Sequence, residues 1–281
     1  MRFTIQGALI SAVLLASQNC WSQHAHVAAG AQSKEQGSKL FFVNGESFVT
    51  NSGYVLFLED GDPLYPHFYQ SATTFTALPA TLWTGGPVPS AAAQGSYLQV
   101  QVVSVAGPPG GSFGVWEENE DATATSLRFS VPTGTTAGNN LFNLSEGVTE
   151  PAPDPFGHIH GRRLSANKPG LYTVGFQILD TSTAGANGGP IHSPSDLFYM
   201  YLQAGLTISS STKTNNVVSV TFGSQGSHTY FLERTSTIGD TNSWKEVAGP
   251  VGDSQSVLRT LTDEKATNSM LFYRLRAIHN E

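Results

Sequence analysis

Tyr97-Leu98-Gln99-Val100-Gln101-Val102 alternates apolar and polar side chains through most of its length. Successive residues of a strand point to opposite faces, so this run reads as a strand with one wet face. Further along, Leu197-Phe198-Tyr199-Met200-Tyr201-Leu202 is apolar on both faces, as a central strand is. Lys39–Val43, Tyr54–Glu59, Ser126–Val131 and Gly170–Leu179 are further short β-rich runs, most of them bounded by Gly, Pro, Asn or Ser. No stretch keeps a 3.6-residue apolar period over ten residues. The chain is therefore expected to be all-β, with a β-sandwich as the main domain.

A boundary is expected near Ala204–Leu206. Ser209-Ser210-Ser211-Thr212 and Thr214-Asn215-Asn216 form a polar stretch beyond it. Val217–Phe222, His228–Glu233, Trp244–Val247, Ser256–Leu261 and Leu271–Ala277 follow as about five strands, a spacing that suits a small β-module. Tyr230-Phe231-Leu232-Glu233, Trp244 and Phe272-Tyr273-Arg274-Leu275 together resemble the fibronectin-III or immunoglobulin-like C-terminal modules of secreted bacterial proteins. The resemblance implies a spacer or interaction module, with Trp244 in its core. The expected divisions are 1–22, 23–205 and 206–281.

Residues 1–22 read as a cleavable secretory signal. Met1-Arg2 is a short positive start, and the apolar core Ala8–Ala16 is too short for a permanent membrane span. Cys20 and Ser22 offer small side chains for cleavage before Gln23. No second apolar run is long enough to cross a bilayer. Cys20 is the only cysteine and would leave with the signal, so no disulfide or thiolate metal site is expected. Charged residues make up 12% of the chain and the net charge is −7, which opposes nucleic-acid binding. The expected address is secreted, periplasmic or cell-surface.

The eight histidines include two H-x-H pairs, His24-Ala25-His26 and His158-Ile159-His160. In a strand, residues two apart share a face with Cβ atoms about 7 Å apart. Two imidazoles so placed can converge on one metal, and neutral imidazole suits zinc and copper. His192, in Ile191-His192-Ser193-Pro194-Ser195-Asp196, is a further candidate ligand, and His67 and Asp196 are possible additions. Each has a plainer alternative: His67 packs among Tyr65, Phe68 and Tyr69, and Asp196 caps a turn. Arg162 would share the face of His158 and His160 if that strand continued, unless the backbone bends at Gly161.

Gly157-His158-Ile159-His160-Gly161-Arg162-Arg163-Leu164, then Lys168-Pro169-Gly170-Leu171-Tyr172-Thr173-Val174, then Tyr199-Met200-Tyr201-Leu202 resembles a pattern of bacterial surface-anchored and zinc-regulator-repressed secreted proteins. The pattern is H-x-H followed by P-G-x-Y-x-V, and some members begin the mature chain with histidines, as His24 and His26 would here. The resemblance implies metal binding at His158 and His160, and less directly at His24 and His26. Arg163 departs from it, standing where the pattern tends to carry an aromatic. No sorting tail follows Arg276, so surface anchoring is not carried over.

Four other readings compete. A cupin would need a Glu shortly after His160, where Gly161-Arg162-Arg163-Leu164 stands. A copper oxygenase with a histidine brace would need cleavage after Gln23, making His24 the first residue. A lectin or adhesin would use Trp83, Trp116, Tyr65 and Tyr69 against a glycan or a cell-surface protein. Calcium would need the acidic runs Glu59-Asp60-Gly61-Asp62 or Glu117-Glu118-Asn119-Glu120-Asp121, neither with EF-hand spacing. Nucleophilic hydrolysis has no G-x-S-x-G elbow and no H-E-x-x-H. The leading expectation is a non-catalytic zinc or copper protein of the cell envelope.

Overall fold

The computed structural model describes residues 26–60, 62–81, 87–119, 123–147, 154–159, 161–226, 228–239, 241–252, 257–267 and 270–280. The signal segment, His24, Trp83 and His160 lie outside them. In chain order the strands are β1 His26–Ala31, β2 Leu40–Phe42, β3 Val55–Leu58, β4 Tyr69–Ala72, β5 Thr74–Ala77, β6 Leu98–Ala106 and β7 Ser112–Glu118. Next come β8 Thr125–Pro132, β9 Asn140–Asn143, β10 Gly157–His158, β11 Arg162–Ala166, β12 Gly170–Asp180 and β13 Phe198–Ala204. The last are β14 Ile208–Thr214, β15 Val217–Ser224, β16 His228–Thr235, β17 Lys245–Gly252, β18 Val257–Asp263 and β19 Phe272–His279. Among the described residues the helical pieces are three-residue 3-10 turns, and no helix is long and apolar enough to cross a membrane. The protein is all-β.

Three sheets, ordered β10-β5-β1-β2, β4-β11-β7-β8 and β3-β13-β12-β6-β9, enclose one core in a β-sandwich-like arrangement. Most neighbours are antiparallel; β1 with β5 and β3 with β13 are parallel. The alternation at residues 97–102 does what it predicts. Leu98, Val100 and Val102 are buried, while Gln99 and Gln101 are half-buried and donate to Asn143 Oδ1 and the Gly138 carbonyl. Phe75 of β5 lies between Phe142 of β9 and Phe176 of β12, with ring centroids 5.5 and 5.3 Å apart. That contact joins the first sheet to the third, and Phe113 of β7 reaches Phe176 from the second. Strand β13 is central, between β3 and β12; Phe198, Met200 and Leu202 are buried on one face, while on the other Tyr199 is exposed and Gln203 buried.

The last part holds two three-stranded sheets, β14-β15-β18 and β17-β16-β19, around a second core of Val218, Val220, Phe222, Tyr230, Leu232, Leu261 and Ala266. The polar stretch at 209–214 is strand β14, laddered to β15 with its side chains largely in water. One expectation needs correction here. Trp244 is not a core residue. It is half-buried just before β17, with the Arg274 guanidinium over its ring at 4.4 Å. The two parts touch: the Leu258 N–H donates to the Gly53 carbonyl at 2.8 Å, Tyr54 bridges Val257, and Gln225 donates to Glu59.

Candidate metal centre

His26 opens β1 and His158 ends β10, and both strands flank β5. The registers place His26 opposite Thr74 and His158 opposite Thr76. Thr74 and Thr76 are two apart on one strand, so both histidines rise from the same face. That is the face opposite Val27 and Phe75, which point into the core. The two rings meet edge to face, with centroids 4.8 Å apart. The fold therefore brings one histidine of each H-x-H pair to a single place.

Local devices hold both strands. Asn44 clamps β1 on either side of Val27: its amide donates to the His26 carbonyl and its Oδ1 accepts from the Ala28 N–H, both at 2.8 Å. The His158 N–H donates to Glu146 Oε1 at 2.5 Å, and the Glu146 N–H donates to the Phe156 carbonyl. Gly157 is required there, because an added Cβ would lie 1.5 Å from the Leu144 carbonyl oxygen. Asp154 accepts from the N–H groups of Ala80 and Phe156 and so fixes the approach to β10. Asn44 and Glu146 carry no sequence signal for this role: a lone Asn after a short apolar run and a lone Glu before a proline-rich stretch are ordinary in sequence.

Gly161 has φ +76°, a left-handed conformation that favours glycine. After it the chain enters β11, in a different sheet from β10. Arg162 consequently turns inward, donating to the Asn143 carbonyl at 2.8 Å and pairing with Glu117 at 3.1 Å. Its charge does not share the histidine face.

No protein-family model matches the chain, and no curated protein matches it significantly.

The other candidate ligands lie elsewhere. His192 is buried and both ring nitrogens face the main chain: Nε2 accepts from the Ala93 N–H at 2.9 Å and Nδ1 lies 3.2 Å from the Ser38 carbonyl. Burial lowers its pKa below the ordinary histidine value, against a weaker opposing pull from Ser38 and Asp180. Its side chain pins three loops and leaves no lone pair for a metal. His67 is exposed in a turn at φ +70°. Asp196 is exposed and pairs with Lys39 at 2.5 Å. Among the described residues no three His, Cys, Asp or Glu side chains gather as a metal site, so His192, His67 and Asp196 are not brought to the His26–His158 pair. Its further members would have to be His24 and His160, both outside the described residues.

The alternative sites are also altered. Tyr65 is buried and donates to Glu118 at 2.7 Å. Trp116 packs edge-on to Tyr65 and Phe68 and donates to Ser165 Oγ. Neither ring is a loop platform for sugar. Glu117 and Glu118 lie in β7 and pair with Arg162, Arg128 and Arg163, so neither carboxylate stands in a calcium-binding loop.

Proposed function

We propose that the protein is an exported, non-catalytic metal-binding protein that holds zinc or copper between its two H-x-H pairs. The observation that carries this reading is the 4.8 Å contact between the His26 and His158 rings, which draws together two motifs far apart in the chain. His24 and His160 each stand two residues from a member of that pair and would supply the remaining imidazoles. An all-imidazole set selects zinc or copper over calcium or magnesium, which take oxygen ligands. The surrounding clamps, Asn44 and Glu146, keep the two strands in place before the metal arrives.

The test is metal analysis of the purified mature protein after dialysis against zinc and against copper. Stoichiometric metal at neutral pH is expected, lost in His158→Ala and in His26→Ala and unchanged in His192→Gln. Metal should also leave as pH falls below about 6, because only neutral imidazole binds. Absence of bound zinc and copper from the wild-type protein would reject the proposal.

A further inference from the structure

A cleft of about 540 Å³ opens at the seam between the large core and the C-terminal sheets. Clefts of this size hold small organic ligands and occur preferentially where two structural units meet. Tyr69 and Phe57 contribute aromatic walls, Glu59 and Asp60 carboxylates, Gln225 an amide and His228 an imidazole. The wall is built from both sides of the seam: Gln225, from the loop after β15, donates to the Glu59 carboxylate at the end of β3. Gly205, at φ +59°, lets the chain pass beside Tyr69, where an added Cβ would lie 3.0 Å from the ring.

The chemistry of this lining selects its ligand. No Lys or Arg is among the described lining residues, while two carboxylates are, so an anionic ligand would be repelled. No three metal-ligating side chains gather there as a metal site among the described residues. Carboxylates accept hydrogen bonds, the amide both donates and accepts, and the aromatic walls offer apolar surface. A sugar ring presents the complement, with hydroxyls around its edge and C–H groups on its face. We propose that this cleft binds a short neutral oligosaccharide, with Asp60 and the Glu59–Gln225 pair receiving hydroxyls and Tyr69 packing against a ring. The site is separate from the histidine pair and does not rest on metal binding.

The experiment is a glycan array of neutral, uronic-acid and amino sugars probed with the full mature chain in chelator, followed by calorimetry with the best neutral glycan. Binding of neutral glycans over acidic ones is expected, unchanged in His158→Ala. Asp60→Asn and Gln225→Ala should weaken it about tenfold or more, the loss of a charge-assisted hydrogen bond or two. Asp60 is exposed, so its substitution leaves the core intact, and a thermal melt checks the fold of Gln225→Ala. Failure of every neutral glycan to bind, equal binding of uronic-acid glycans, or full affinity in both folded variants would overturn the proposal.

Discussion

Arg162 and Glu117 form an ion pair at 3.1 Å in which the arginine side chain is 1% exposed and the glutamate 35%. The guanidinium lies over the Phe142 ring at 4.9 Å. Burial lowers the pKa of the guanidinium, and Glu117 opposes that shift through its hydrogen bond and charge. Glu117→Gln would leave a buried cation without its counter-charge, which destabilises by about 2–3 kcal/mol, short of a fully buried pair because Glu117 is partly in water. Arg162→Met should be better tolerated than Glu117→Gln, since it removes the charge and keeps the volume. Urea unfolding midpoints of the two variants check this order.

Gly157 governs the geometry of the neighbouring His158. A Cβ at this position cannot coexist with the Leu144 carbonyl, so β10 must shift from its place beside β5 or Leu144 must move. Gly157→Ala should lower stability by about 2–4 kcal/mol and, under the metal-binding proposal, weaken zinc or copper uptake while both histidines remain. Calorimetric titration with metal, alongside a thermal melt, separates the two effects.

Asp180 accepts main-chain N–H groups from Tyr97, Ser182, Ile191 and His192 at 2.9–3.1 Å. Asp180→Ala would leave several donors without an acceptor and should reduce stability by about 3 kcal/mol. Unfolding by guanidinium chloride measures it.

His192 gives stability an acid-sensitive component. Its folded pKa is lowered from 6.5 by burial, so as pH falls below 6.5 the unfolded chain takes a proton that the folded chain does not. Stability is full above that value and declines toward the lower folded pKa. In His192→Gln this slope below pH 6.5 should flatten. Chemical unfolding across that range reads the slope directly.

Glu233 behaves with the same sign at lower pH. Burial alone would raise its pKa, but hydrogen bonds from Arg276 and Arg274, at 2.6 and 2.7 Å, hold it below the ordinary glutamate value. The stability it contributes is present above the ordinary value and lost as pH falls through the folded one. Glu233→Gln should cost about 1 kcal/mol at pH 7, a low figure because both arginines are partly solvated. The acid limb of a stability–pH curve should shallow in the variant.

Strands with a strong local pattern were legible. The alternation at 97–102 marks β6, and the apolar run at 197–202 marks β13. Strands β1, β5, β7 and β11 were not, because they are short or carry Ala, Gly and charged residues at sites the sheet fills. Strand β11 includes Arg162, inward-facing yet charged, which local pattern assigns to water. Strand β14 carries no apolar alternation in the sequence, because it is held by the ladder to β15 and not by burial.

The histidine pair divides in the same way. Spacing of two marks His158 and His26 as able to share a face with a neighbour, since strand geometry is local. It cannot distinguish them from His192, whose ring nitrogens are satisfied by Ala93 and Ser38, residues far away in sequence. Nor can it find Asn44 and Glu146, which act on the main chain of their targets.

The sequence by itself determined that the chain is built of strands, because side-chain alternation follows from the pleat of each strand alone. Only the tertiary structure decided which strands are neighbours. It set β1 and β10 on either side of β5, brought His26 against His158, and turned Arg162 away at Gly161. Strand order and register depend on packing between segments distant in the chain, and no local pattern records them.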